Sequence, residues 1–194
     1  MKRVGVLALQ GDVGEHVTML ESLDSVVVKV RTIEQLESVD ALVVPGGEST
    51  TIAHLLVTAG LKDALGEKLR DGFPVFGTCA GLILLSSEVL DGRADQWSYG
   101  ALSVSLRRNG YGRQIASFES PIEVRGVGSV PGVFIRAPRI VAWDNDVEVL
   151  ATLDHGDGRG EHPVFVRQEN IWGASFHPEL AGDPRLHRLF LDSL

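Results

Sequence analysis

The sequence predicts a flavodoxin-like α/β fold of three layers, in which a mostly parallel sheet is flanked by helices and carries an antiparallel extension. In the first half, apolar segments typical of buried strands alternate with segments of helical periodicity. In the second half, short segments alternate apolar with polar residues, as antiparallel strands with one exposed face do. The 194 residues are 44% hydrophobic and include 22 glycines. We therefore expect residues 1–194 to form a single domain.

The first half contains the predicted parallel strands and most of the predicted helices. A helix begins near Glu15, two more lie near Thr51–Leu56 and Leu61–Leu69, and another covers Gly81–Ser86. The four strands are Val4–Leu9, Val26–Val30, Ala41–Val44 and Pro74–Phe76.

The second half contributes the predicted antiparallel strands and a closing helix. Residues Pro184–Leu194 place Leu186, Leu189 and Phe190 on one helical face, so this helix packs on the sheet. The strands are Leu102–Leu106, Ile122–Val124, Val133–Ile135, Val147–Leu153, Val164–Val166 and Ile171–Phe176.

Charge and composition exclude several classes of function. The formal net charge of −8 argues against binding to nucleic acids or to anionic membranes. The apolar segment Val4–Leu9 is too short for a signal sequence or a membrane span, so we expect a cytoplasmic protein. The chain has one cysteine and therefore no intramolecular disulfide.

That cysteine lies in a motif typical of a nucleophile. Cys79 is the centre of the segment Gly77–Gly81, which follows an apolar strand and precedes a helix. This is the G-x-nucleophile-x-G form of an elbow, where small residues allow a sharp bend. The N-terminus of the helix would favour the thiolate. We predict that Cys79 is a catalytic nucleophile, although an isolated cysteine is more often a buried structural residue.

His177 and Glu179 are the predicted base and its orienting group. They follow the last strand in the segment Phe176–Glu179, and Pro178 between them can hold both side chains on one side. A nucleophile followed by a late histidine is the chain order of elbow-type hydrolytic sites.

The segment Pro45–Thr50 follows a third strand that should end at the same sheet edge. The backbone amides of Gly47 and Ala80 could form an oxyanion hole. Glu48 could bind a substrate ammonium group or could be a charge in the first helical turn, with Ser49 or Thr50 as the cap.

Two other groups of polar residues receive no functional assignment. The loop Asp154–His162 is rich in acidic residues and histidines, but its glycines favour an exposed hairpin loop over a metal site. For the remaining histidines of interest, His16, His54 and His187, the sequence suggests no partner.

The elbow and the segment Phe176–Glu179 resemble the class I, or triad, glutamine amidotransferases, whose glutaminase domains release ammonia from glutamine. Nearly the whole chain is similar to one group within this class, the glutaminase subunits of pyridoxal 5'-phosphate synthases. The motifs that carry the similarity are Val4–Gly11, Pro45–Thr51, Arg108-Asn109 with Gly112–Gln114, Ser117–Glu119 and Gly132–Pro138.

The resemblance implies a triad of Cys79, His177 and Glu179. It implies that Gln10 lies at the contact surface with the synthase subunit, where it helps to order the oxyanion hole when that subunit docks. Ammonia would pass through a large hetero-oligomer to a barrel-shaped synthase subunit, and this chain would need no metal and no cofactor. The residues implied to bind L-glutamine are Gly47, Glu48, Ser49, Arg108, Ile135 and Arg136.

Two alternatives remain open at this point. One is a different triad amidotransferase or a related thiol hydrolase, which would keep Cys79 and His177 without the partner-specific motifs. The other is a flavodoxin-like interaction module in which Cys79 is inert.

Overall fold

The computed structural model describes residues 2–108, 110, 117–154, 156 and 158–194. Several residues of the motifs discussed above, Asn109, Gly112–Gln114, His155 and Asp157, lie outside the described residues.

The described residues form twelve strands, six α-helices and a short 3₁₀ turn. The strands are β1 (Arg3–Leu7), β2 (Val26–Val30), β3 (Ala41–Val44), β4 (Val75–Thr78), β5 (Ser86–Val89), β6 (Leu102–Arg107), β7 (Ser117–Val124), β8 (Gly128–Ile135), β9 (Arg139–Trp143), β10 (Glu148–Asp154), β11 (Glu161–Gln168) and β12 (Ile171–Ala174). The helices are α1 (Val13–Glu21), α2 (Ile33–Glu37), α3 (Ser49–Thr58), α4 (Leu61–Arg70), α5 (Ala80–Leu85) and α6 (Arg185–Asp192), and the 3₁₀ turn is Pro178–Leu180. Among these described helices, none is both long and apolar enough to cross a membrane.

The main sheet has seven strands in the order β10-β11-β12-β4-β3-β1-β2. The five strands from β12 to β2 are parallel to one another. The strand β11 pairs antiparallel with both β12 and β10. A mostly parallel sheet with an antiparallel extension was predicted, and the structure confirms it. A smaller sheet has the order β5-β6-β9, and β7 and β8 form a separate hairpin.

Apolar side chains cover both faces of the main sheet. On one face, Leu36 of α2, Ile52 of α3 and Leu65 of α4 pack with the apolar residues of α5. On the other face, Leu20 of α1 and Phe190 of α6 lie in a second cluster. Helices therefore lie on both faces, and the predicted three layers are confirmed.

The functional residues meet at one edge of this sheet. Strands β1, β3, β4 and β12 are parallel, and β4 is in register with β3 at Val44 and Gly77 and with β12 at Ala174 and Thr78. Their carboxyl ends consequently lie side by side. Open α/β sheets place their binding sites at this edge, because the loops after neighbouring strands converge there.

Some predicted boundaries differ from the structure. The predicted helix Gly81–Ser86 ends one residue earlier, because Ser86 has extended backbone angles and begins β5. Strand β5 and the short α2 were not predicted. Strand β9 was also missed, and it pairs with β6 to complete the small sheet.

The close approach of α5 to β3 generates a stability prediction. A Cβ atom added at Gly81 would lie 2.1 Å from the carbonyl oxygen of Val44. Since that oxygen belongs to the backbone, we expect Gly81→Ala to lower the free energy of unfolding by about 2 kcal/mol. The control is Gly14→Ala in α1, where a Cβ atom meets nothing within 4 Å. Urea denaturation should show no loss for the control, and equal stability of the two variants would contradict the close contact.

Candidate active site

Cys79 occupies a strained turn between β4 and α5. Its backbone has φ 48° and ψ −101°, which is unusual for a residue with a side chain. The Cys79 amide donates to the carbonyl of Ala174, and the carbonyl of Cys79 accepts from the amide of Ile83, so both sides of the turn are held. A strained conformation of this kind persists only where surrounding contacts impose it. The predicted elbow geometry is thus present.

The two glycines of the elbow are required by close packing. An added Cβ atom at Gly77 would lie 2.6 Å from the carbonyl carbon of Gly81. Gly81 in turn lies against the backbone of β3 at Val44. Any side chain at either position would force the helix away from the sheet and would move the thiol.

His177, the predicted base, and Glu179, its predicted orienting group, lie directly beyond β12. The Nδ1 atom of His177 lies 2.8 Å from Oε1 of Glu179 in a buried hydrogen bond. The His177 amide donates to the carbonyl of Val133, which fixes the start of the 3₁₀ turn. Glu179 has no exposed side-chain surface and lies behind the imidazole. His177 is therefore both oriented and backed by a negative charge.

Electrostatics favour a charged imidazole at His177. Burial alone would lower the pKa of His177, but hydrogen bonds to the Cys79 thiolate and the Glu179 carboxylate outweigh burial and raise that pKa to about 10. Burial raises the pKa of Glu179, and the hydrogen bond and charge of His177 oppose this rise. At neutral pH His177 is consequently a cation held between Cys79 and Glu179.

A polar cleft opens in front of Cys79. Its volume of about 270 Å³ lies below the roughly 300–1,000 Å³ of pockets for drug-sized ligands, so it suits a small polar molecule. All six residues predicted to bind substrate line it. The lining residues are Gln10, Asp12, Gly47, Glu48, Ser49, Cys79, Ile83, Arg108, Ile135, Arg136 and His177.

Glu48 and Arg108 place opposite charges in the cleft. Nη2 of Arg108 donates to Oε1 of Glu48 at 2.8 Å. Oε2 of Glu48 accepts from the amide of Thr51 and from the hydroxyls of Thr50 and Thr51. Burial would raise the pKa of Glu48, but these hydrogen bonds lower it to about 2, so the carboxylate is ionised.

Glu48 also caps helix α3. It is the N-cap residue and its side chain accepts from the amide at the third helical position, which belongs to Thr51. The expectation that Ser49 or Thr50 would be the cap was wrong. Ser49 is buried and its hydroxyl accepts a hydrogen bond from Gln96.

Gln10 contacts the segment predicted to form the oxyanion hole. Its Oε1 accepts from the amide of Glu48 at 2.9 Å and lies 2.5 Å from the position of a Cβ atom added at Gly47. Gly47 has φ 152°, and any side chain there would displace Gln10. Ala80 follows Cys79 as the first residue of α5. The roles of Gly47 and Ala80 in an oxyanion hole stay a prediction.

Arg136 also has a left-handed backbone, with φ 43°, at the end of β8. The carbonyl of the preceding residue, Ile135, lies 3.9 Å from Sγ of Cys79. The β7–β8 hairpin thus delivers Ile135 and Arg136 to the rim of the cleft, and their part in binding glutamine stays a prediction.

The sequence missed three polar residues near the triad. His16 and His187 are fully buried and bonded to each other, with Nδ1 of His16 2.9 Å from Nε2 of His187. The sequence suggested no partner for these two histidines, and this was wrong. Their contact joins α1 to α6 across 171 residues, which is why the sequence did not reveal it. His54 is exposed. Asp12 was missed as well, and its Oδ2 lies 3.2 Å from Nδ1 of His177.

Asp12, His177 and Glu179 each offer one potential metal ligand, and these atoms lie within 4.8 Å of one another. The imidazole nitrogen that faces the carboxylates is already used in the hydrogen bond to Glu179. The arrangement therefore orients His177, the predicted base. A reaction that needs no metal stays a prediction.

Comparison with known proteins decides the family. The model of the SNO glutamine amidotransferase family matches residues 6–194. The chain belongs to this family. The predicted family and the predicted activity of a glutamine amidotransferase are therefore confirmed.

Curated relatives of this amidotransferase cover almost its whole length. The chain is 51% identical over 191 residues to the pyridoxal 5'-phosphate synthase subunit PdxT of Streptomyces griseus, with 97% of this chain and 94% of that protein covered. It is 50% identical to the subunit of the same name from Nocardia farcinica, with 97% and 84% covered.

Solved structures agree with this fold. A structure described as a crystal structure of glutamine amidotransferase superposes with a TM-score of 0.90 at 49% identity and covers 98% of this chain and 97% of its own. The structure of PurLQS from Thermotoga maritima gives a TM-score of 0.72 at 19% identity, with 99% of each of the two chains covered. The second likeness concerns the fold alone.

The positive charge of His177 leads to a prediction about the reactivity of the Cys79 thiol in this amidotransferase. In His177→Gln the imidazolium that hydrogen-bonds to Cys79 is lost. A neighbouring cation favours the reactive thiolate, so we expect alkylation of Cys79 by iodoacetamide at pH 7 to slow roughly tenfold. His54→Gln is the matched control and should react like the unmodified chain. An unchanged rate in His177→Gln would show that His177 does not stabilise the thiolate.

Proposed function

We propose that this chain hydrolyses L-glutamine to L-glutamate and ammonia, with Cys79 as nucleophile, His177 as acid and base, and Glu179 as the group that orients His177. The observation that carries the proposal is the meeting of an elbow cysteine, a buried His-Glu pair and a charged cleft in one family member. We assign the whole of residues 1–194 to one glutaminase domain, since the elements of both halves pack on the same sheet.

The first half of the reaction forms a thioester. The Cys79 thiolate attacks the side-chain amide carbon of glutamine, and the developing oxyanion accepts from the amides of Gly47 and Ala80. The imidazolium of His177 then gives its proton to the departing nitrogen. The carbon–nitrogen bond breaks, ammonia leaves, and a glutamyl group remains on Sγ.

The second half of the reaction regenerates the free Cys79 thiolate. His177, now neutral, accepts a proton from water, and the resulting nucleophile attacks the thioester carbonyl. Glutamate leaves as the carbon–sulfur bond breaks, and the proton on His177 restores the ion pair with Cys79. Glu179 holds the same imidazole tautomer through both steps because it accepts from Nδ1.

The cleft chemistry supports an α-amino acid as substrate. The Glu48 carboxylate suits the α-ammonium group, and the Arg108 guanidinium suits the α-carboxylate. Without substrate these two side chains neutralise each other. Gly47, Ser49, Ile135 and Arg136 line the same cleft and complete the proposed glutamine site.

The chain is homologous to subunits of pyridoxal 5'-phosphate synthase, and the proposal includes such a partner. We propose that ammonia passes to a barrel-shaped synthase subunit within a large hetero-oligomer, and that docking involves Gln10. We also propose a cytoplasmic location, where reducing conditions keep the Cys79 thiol available.

The decisive test is glutamate release from glutamine by the purified chain, with and without the synthase subunit. We expect strong stimulation by the synthase subunit, together with loss of detectable release in Cys79→Ala. The variant should still bind the synthase in a pull-down, because the thiol lies inside the cleft. An active Cys79→Ala protein would refute the triad. Equal release with and without synthase would instead point to an autonomous hydrolase or to a different amidotransferase partner.

Gln10 offers a separate test of partner activation. Removing its side chain deletes the hydrogen bond to the amide of Glu48, so the segment beside Gly47 loses a support. We expect Gln10→Ala to lower the synthase-stimulated rate roughly tenfold, equivalent to about 1.4 kcal/mol of transition-state stabilisation. Lys29→Ala, on the exposed side of β2, is the control. Stimulation that is unchanged across a titration with synthase would remove Gln10 from this role.

A further inference from the structure

The triad carboxylate has an unused oxygen that faces a buried histidine. Oε1 of Glu179 accepts from His177, but Oε2 makes no hydrogen bond within the described part of the chain. The Nε2 atom of His16 lies 3.4 Å from this oxygen, and neither side chain has any exposed surface. Water is thus not the obvious partner for Oε2, and His16 is the polar group beside it.

Behind His16 lies a second buried histidine. Nδ1 of His16 is 2.9 Å from Nε2 of His187, and Nε2 of His16 is 3.1 Å from the hydroxyl of Thr78. His16 belongs to α1 and His187 to α6, and both helices cover the same face of the sheet. A row of polar groups therefore runs from Cys79 through His177 and Glu179 into the core.

Both of these histidines are neutral at physiological pH. Burial lowers the pKa of His16 well below its usual value, and the nearby imidazoles of His187 and His177 lower it further. Burial lowers the pKa of His187 to about 4. Each ring then carries one proton, and the hydrogen bond between the rings leaves two possible arrangements of those protons.

In the first arrangement, Nε2–H of His187 donates to Nδ1 of His16, and Nε2–H of His16 faces Glu179 and Thr78. In the second arrangement, Nδ1–H of His16 donates to His187, and Nε2 of His16 accepts from the Thr78 hydroxyl while its lone pair also faces the carboxylate. The second also leaves a proton on Nδ1 of His187, where no partner exists among the described residues. A buried donor without an acceptor and a lone pair turned towards a carboxylate both cost free energy. The first arrangement is favoured.

We propose that His16 is a positioning residue of the amidotransferase reaction. Its Nε2–H dipole, hydrogen-bonded to Thr78, lies 3.4 Å from Oε2 of Glu179, and His187 holds His16 in that tautomer. The inference rests on the proposed triad and extends it by two residues. His16 contacts neither the thiol nor the substrate site, and it acts through the carboxylate that orients the base.

The electrostatic consequence follows from the groups around Glu179. Burial and the charge of Asp12 on the loop after β1 oppose ionisation of Glu179, and the hydrogen bond and charge of His177 favour it. In the proposed arrangement the N–H dipole of His16, 3.4 Å from Oε2, favours the ionised form as well. Loss of the His16 N–H raises the pH at which Glu179 takes up a proton. A protonated Glu179 no longer offers His177 the anion that orients it, so activity should be lost at a higher pH on the acid side. The active pH range should narrow from that side.

The experiment measures kcat/KM for glutamine against pH in the complex with synthase. The matched pair is His16→Leu, which has no N–H, and His16→Gln, whose side-chain amide can place an N–H near the former Nε2. We expect His16→Leu to lower kcat/KM at pH 7 roughly tenfold and to move the acid limb upward by about one pH unit. His16→Gln should recover most of the rate and the width. Circular dichroism and synthase binding establish that both variants are folded.

A second pair covers the case in which His16→Leu fails to fold. His187→Leu leaves His16 in place but removes the donor that sets its tautomer, and His187→Gln restores a donor. We expect a smaller narrowing of the same sign for His187→Leu and recovery for His187→Gln. Alkylation of Cys79 against pH, which requires no turnover and no partner, should show the acid-limb shift in the same variants.

Two outcomes would overturn the inference. One is a lower kcat/KM in the leucine variants with an unchanged pH profile. The other is a glutamine variant whose kcat/KM and pH profile match those of the leucine variant. Either result would indicate that the histidine contributes by packing alone. Failure of the triad itself looks different, because Cys79→Ala would then retain activity. An inactive Cys79→Ala with limbs unmoved in the leucine variants would reject the role of His16 and leave the triad intact.

Discussion

The close contact between α5 and β3 is the constraint on which the site depends. Gly81 lets the helix approach the carbonyl of Val44, and this approach forces the sharp turn at Cys79. Cys79 then adopts φ 48°, a conformation that costs about 1–3 kcal/mol. The hydrophobic core on both faces of the sheet offsets that cost. The thiol is consequently fixed at the carboxyl edge, and every other functional group is arranged relative to it.

The charges of the site depend on burial as much as on pairing. Glu179 is enclosed, so its negative charge is little screened and acts strongly on His177. The same burial makes the carboxylate costly to keep ionised. The base and the group that orients it thus depend on each other, since each stabilises the charged form of its neighbour. Asp12 lies 3.2 Å from Nδ1 of His177 and adds a further negative charge there. That charge opposes the ionisation of Glu179.

The sequence predicts those parts of the structure that local patterns encode. Alternating segments indicate the sheet, and glycines at two-residue spacing around Cys79 indicate the elbow. The contact between His16 and His187 joins residues 171 positions apart, and no local pattern marks it. Strand β9 was missed because its pairing with β6 is long-range. The cap at Glu48 was missed for a different reason, since glutamate is an uncommon N-cap residue and its position suggested a substrate contact instead.

Glu48 combines two tasks whose requirements conflict, and this conflict has a consequence for substrate binding. One oxygen of its carboxylate accepts from Thr50 and Thr51 at the start of α3, and the other accepts from Arg108. The cap keeps the carboxylate ionised and in place, so in the proposed glutamine site a substrate ammonium group would meet a preorganised anion. That ammonium must compete with Arg108 for the second oxygen. A ligand with a carboxylate for Arg108 as well as an ammonium for Glu48 compensates both partners at once, whereas a simple amine or a simple acid leaves one charge unpaired. In the proposed site the ion pair of Glu48 and Arg108 would thereby select for amino acids over molecules that carry one charge alone.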